Sequence, residues 1–117
     1  MKRLALALVL AACKSRGEAP PPPEAPPPVM PASEAKRGKD ACHAFVAKVC
    51  ACAETTPPLV EACKLARPLV DALDVALEVA ANPESARRDA LQANATARKI
   101  VKECIEETAK LPGAGCP

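Results

Sequence analysis

The chain has 117 residues, with 16 Lys+Arg, 14 Asp+Glu, 7 Cys, 14 Pro, a single His and a single aromatic residue, Phe45. That length allows one small domain, and a net charge of +2 gives no electrostatic footprint for nucleic acid. Without Tyr or Trp, no stacking platform for bases or flat cofactors can be assembled. A lone imidazole, His43, argues against ordinary hydrolytic catalysis. The 26 Ala residues favour helices and thin cores. The β-branched strand formers are scattered, so the fold class expected is all-α.

The N-terminus reads as an address. Lys2 and Arg3 precede an uncharged run of Leu, Ala and Val over residues 4–10. As a helix, such a run covers about 10 Å at 1.5 Å per residue. That is too short to cross a bilayer and fits the apolar region of a secretory signal peptide. The run ends in Leu10-Ala11-Ala12-Cys13. This motif resembles the lipobox of bacterial lipoproteins, in which an aliphatic residue and two small residues precede Cys. The resemblance implies that residues 1–12 are removed, that the Cys13 thiol takes a diacylglycerol, and that the new N-terminus is acylated with a fatty acid such as palmitate. It further implies a cell-envelope protein held to the membrane through lipid on Cys13. Lys14, where the inner-membrane retention signal of enteric bacteria has Asp, favours the outer membrane if the source has one. Loss of Lys2 and Arg3 leaves 14 basic against 14 acidic side chains, so lipid and not a polybasic patch does the anchoring.

Residues 13–33 then form a proline-rich, disordered linker. Eight of the 14 prolines fall from Pro20 to Pro31. Proline donates no backbone hydrogen bond and favours polyproline II. At about 3.1 Å per residue, roughly 20 residues reach about 60 Å. The composition describes a stiff spacer.

Residues 34–117 carry three helical patterns. The first runs from about Ser33, as N-cap, to Ala53, with Cys42, Phe45, Val49 and Cys52 on one stripe and Gly38 weakening the early turns. Thr56 as N-cap and Pro57 at the first position restart the chain. The second stripe is Leu59, Cys63, Ala66, Val70, Leu73, Leu77 and Ala80, in alternating steps of four and three. Pro68 is expected to kink or split that helix. Asn82-Pro83 and Glu84 suggest the start of a third helix, running to about Lys110 before Pro112-Gly113. Its stripe is Ala86, Ala90, Ala93, Ala97, Val101, Cys104, Thr108 and Leu111, supported by Leu91, Ile100 and Ile105. Short loops between them predict an up-down-up three-helix bundle with little internal cavity. Asn94-Ala95-Thr96 matches a glycosylation acceptor, but mid-helix in a chain with a bacterial signal it is a chance match.

With Cys13 given to lipid, Cys42, Cys50, Cys52, Cys63, Cys104 and Cys116 remain. In a small exported domain, six cysteines imply three disulfides, with 15 possible connectivities. Cys50 and Cys52 sit about 200° apart on a helix and so need different partners. Cys50–Cys63 would clamp the first turn. The third helix returns to the same end, which favours Cys42–Cys104 and leaves Cys52–Cys116, the tail being made flexible by Gly113 and Gly115.

These features support a lipid-anchored, non-catalytic binding or structural module facing a protein partner in the envelope, with no cofactor. The alternative is a Cu or Zn site on Cys42, His43, Cys50 and Cys52, since thiolates and imidazole suit soft metals. A thiol–disulfide enzyme built on Cys50 and Cys52 is disfavoured, because a helix C-terminus raises a thiol's pKa and no thioredoxin-like strand–helix pattern is present.

Overall fold

A computed structural model describes residues 17, 20, 21 and 29–117. The signal segment, Cys13 and most of the linker lie outside the described residues. Three α-helices follow in order: α1 (Ala32–Ala53), α2 (Val60–Ala81) and α3 (Arg87–Lys110), with 3₁₀ turns at Pro57–Leu59 and Pro112–Ala114. Each helix packs against both others in an up-down-up bundle, and the described residues contain no strand.

The inner face of α1 is Gly38, Cys42, Phe45 and Val49, in steps of four, three and four. These are the turns of a 3.6-residue helix facing one core. The helix begins one residue before Ser33. Pro31 occupies the N-cap position with no side-chain hydrogen bond, and Ser33 lies in the first turn. Pro31 closes the entry through its fixed φ of −54°. Met30, one residue earlier, packs on the core and shares a recess with Ala35, which pins the entering chain as a hydrophobic staple does.

Gly38 has a role its low helix propensity conceals. It is buried against α3, and a Cβ built there would stand 2.7 Å from Val101 Cγ2. A valine methyl sits on a side chain stiff at χ1 and cannot swing aside. Gly38→Ala therefore gains about 1 kcal/mol of helix propensity but incurs an overpacking cost of about 1–3 kcal/mol. We expect a net loss of stability, restored by the added change Val101→Ala. Chemical denaturation of the two single variants and the double variant measures the coupling.

The second segment consists of the 3₁₀ turn and α2, joined at Leu59. The Thr56 side chain makes no capping hydrogen bond; Leu59 N–H donates to the Thr56 carbonyl at 2.9 Å. The chain stays helical through Pro68, which lies inside α2. Pro68 and Lys64, whose carbonyl loses its donor, are both exposed, so water can take the donor's place. Leu59, Cys63, Ala66, Leu73 and Ala80 are buried as the heptad requires, whereas Val70 and Leu77 are half-buried and Ala76 joins the core. Contact with two neighbouring helices widens the buried face beyond a single seam.

The third helix starts later than the Asn82-Pro83 signal suggests. Asn82 ends α2, its N–H donating to the Glu78 carbonyl at 3.0 Å. Its side-chain oxygen accepts from Glu84 N–H at 2.9 Å, and the Ser85 hydroxyl donates to the Val79 carbonyl at 2.8 Å. Asn82 and Ser85 are thus used in a turn, and α3 begins at Arg87 with Ala86 as N-cap and Asp89 in its first turn. Ala90, Ala93, Ala97, Ile100, Cys104 and Leu111 are buried. Leu91 and Ile105, one residue off that stripe, are 40% and 56% exposed.

Candidate functional site

Six cysteines pair into three disulfides: Cys42–Cys104, Cys50–Cys63 and Cys52–Cys116. These are the pairings that helix phase and end-to-end placement suggest. All three start on α1 and lead to different segments: α3, α2 and the C-terminal turn. The last depends on backbone geometry. Gly115 takes a left-handed φ of 91°, and Cys116 N–H donates to the Leu111 carbonyl at 2.9 Å, turning the tail back onto α1. A residue with a Cβ adopts that φ only at a cost. Gly115 therefore holds Cys116 in a formed turn, where the sequence suggested a flexible tail.

This pairing takes up all three cysteines of the alternative metal set. Cys42, Cys50 and Cys52 are each bonded to a different sulfur, so none offers a thiolate, and His43 beside them is exposed. Among the described residues, no three His, Cys, Asp or Glu side chains converge as a metal site. Asn94 is 5% exposed inside α3 and so is shut off from a glycosylating enzyme.

Cys50–Cys63 and Cys52–Cys116 lie at one end of the bundle, and Cys42–Cys104 starts from the middle of α1. The opposite end contains the start of α1, the end of α2 and the start of α3. Non-covalent contacts join the helices there. Arg98 Nε donates to Glu34 Oε1 at 2.8 Å and its terminal nitrogen to Oε2 at 3.4 Å, a forked pair tying α3 to α1. Lys39 pairs with Asp74 across α1 and α2 at 3.2 Å. Arg98 holds the Glu34 carboxyl below its ordinary value, first through the hydrogen bond and then through its charge. A lowered carboxylate pKa contributes stability present above the ordinary range and lost as pH falls through the folded value. Arg98 is exposed and Glu34 only half-buried, so the contribution is small and salt-sensitive.

Two surface features stand out at this end. One is an open groove of about 530 Å³ between α2 and α3, with Ala72, Ala76 and Ala93 on its floor, Val75 and Val79 beside them, and Asp71 and Asp89 among its lining. Val75 is 60% exposed. The other is a half-closed recess of about 240 Å³, floored by Leu73, Leu77, Ala97 and Val101. Met30 and Ala35 wall it, and Glu34, Arg98 and Lys102 complete it. The recess opens at the surface, where short side chains such as Ala35 and Ala97 leave volume that no larger neighbour fills.

The fold and its cross-links define a small disulfide-stapled three-helix bundle. No protein-family model, curated protein or solved structure matches the chain.

Proposed function

We propose that the protein is a lipid-anchored component of the bacterial cell envelope, a non-catalytic module that binds a protein partner. The observation that carries the anchor is Leu10-Ala11-Ala12-Cys13 after a short charged and apolar leader. Three disulfides in so small a domain agree with export to an oxidising compartment. With those six sulfurs oxidised, the surface is what the domain presents. Its α2–α3 groove combines small apolar residues with Asp71 and Asp89, a match for a helix bearing apolar and basic side chains. No described helix is long and apolar enough to cross a membrane, so in this reading lipid supplies the attachment.

Cys13→Ser tests the anchor, because a hydroxyl replaces the thiol that accepts the lipid. In bacterial cells fed labelled palmitate, the wild-type chain is expected to take up label and partition with membranes. The variant is expected to remain unlabelled, with its leader uncleaved. A labelled, processed Cys13→Ser chain would refute the assignment. For the partner face, a photo-cross-linker at Val75 is expected to give a discrete adduct in intact cells that disappears when Asp71 and Asp89 are both changed to Lys.

A further inference from the structure

The recess at the start of α1 has the attributes of a small-molecule site. Its floor is aliphatic, with Leu73 1% and Ala97 0% exposed. Three charged side chains line it: Glu34, Arg98 and Lys102, a net charge of +1. At about 240 Å³ it exceeds the ~150 Å³ apolar cavity that suffices for benzene. It falls short of the ~300–1,000 Å³ of drug-sized sites. That size suits a slim aliphatic chain and not a fused ring system.

We propose that this recess binds a small anionic amphiphile, a short- to medium-chain aliphatic carboxylate, with its tail on Leu73, Leu77 and Val101 and its carboxylate between Arg98 and Lys102. Charge complementarity selects the anion. Arg98 already holds a carboxylate there, Glu34, in forked geometry, so the guanidinium is oriented for a second carboxylate in its place. Lys102 adds a cation whose present partner, Glu106, is 3.6 Å away and exposed. Glu34 thus acts as an internal competitor, released when the ligand carboxylate takes over Arg98. Leu73 and Ala97 are already buried; the tail removes from water the half-exposed faces of Leu77, Val101 and Met30. This site involves neither the lipid anchor nor the α2–α3 groove, and it stands or falls independently of them.

Octanoate is the probe, titrated into the full-length chain without reductant, with the methyl resonances of Leu73, Leu77 and Val101 followed by NMR. These methyls report the recess alone, so binding by the apolar leader does not confuse the reading. The expected result is a saturable shift of all three. Arg98→Gln is expected to weaken binding by about tenfold, the effect of one lost charge-assisted hydrogen bond. Glu34→Gln is expected to tighten it severalfold by removing the competitor. Arg98 is exposed and Glu34 half-buried, and their pair contributes little, so both variants are expected to melt close to the wild type. Octylamine, with the same tail and the opposite charge, is expected not to bind. Absence of saturable shifts, equal binding of octylamine, or a Glu34→Gln affinity equal to or weaker than wild type would each overturn the proposal.

Discussion

Reduction of the three disulfides is expected to lower the thermal midpoint of the folded domain by tens of degrees or to abolish cooperative unfolding. Each cross-link contributes about 2–4 kcal/mol by limiting the unfolded chain. A core this small supplies only about 3–5 kcal/mol. The core is thinner than average: seven of its members are Ala or Gly, namely Gly38, Ala66, Ala76, Ala80, Ala90, Ala93 and Ala97. Each buries little apolar area. At roughly 4–8 °C per kcal/mol for a domain of this size, loss of two cross-links is enough. The three are not equivalent. Cys42–Cys104 and Cys52–Cys116 span 62 and 64 residues, whereas Cys50–Cys63 spans 13. Loop entropy assigns about 4 kcal/mol to each long loop and about 3 kcal/mol to the short one. Cys42 and Cys104 are also 0% exposed, so their replacement by Ala removes core packing as well. Melts followed by circular dichroism are expected to rank the Cys42/Cys104 double-Ala variant lowest and the Cys50/Cys63 variant highest. A chelator is expected to leave the wild-type midpoint nearly unchanged. A large drop with chelator alone, in the absence of reductant, would contradict the disulfide account.

Phe45→Ala is expected to cost the oxidised protein about 3–5 kcal/mol, towards the upper end of that range. The penalty for a deleted core side chain depends on how far its surroundings collapse into the space. Phe45 is 5% exposed and is the chain's one aromatic residue. Ala62, Leu65, Ala66 and Leu69 of α2 share its surroundings. The alanines have no rotamers with which to fill a hole, Leu69 is already packed against the core, and the helix backbones are held by Cys42–Cys104 and Cys50–Cys63 on either side of Phe45 along α1. Phe45→Leu keeps most of the volume and is expected to lose about a third as much. Urea unfolding without reductant gives both values. A Phe45→Ala loss below about 1 kcal/mol would mean that the helices close over the gap, contrary to rigid packing.

The disulfide connectivity was legible because helix phase and topology constrain it together. Two residues of separation send Cys50 and Cys52 to different sides of a helix. An up-down-up path brings the ends of the first and third helices to the same end of the bundle. The helix boundaries were less legible. Asn82 and Ser85 resemble starting signals because Asn and Ser serve both as N-caps and in turns. Which use they take depends on where the preceding helix runs out of donors, and Asn82 N–H still reaches Glu78. Leu91 and Ile105 match the third helix's buried face in being apolar, yet one residue of offset, about 100°, turns them towards solvent.

Composition and spacing by themselves determined the helical class and the three segments, since these follow from propensity and a 3.6-residue period; they narrowed the pairing of the cysteines, which the docked helices and the Gly115 turn then fixed. The proposed lipobox is likewise a linear pattern, one that depends on no neighbour in space. Only the tertiary structure decided that Gly38 is a contact point for Val101, that Arg98 closes on Glu34, 64 residues away, and that the recess beside them stays unfilled. Each of these depends on which side chains from different helices meet at one level of the bundle. Local sequence does not encode that meeting; the docking of three helices fixes it, through close approach where Gly38 permits it and open space where alanines face one another.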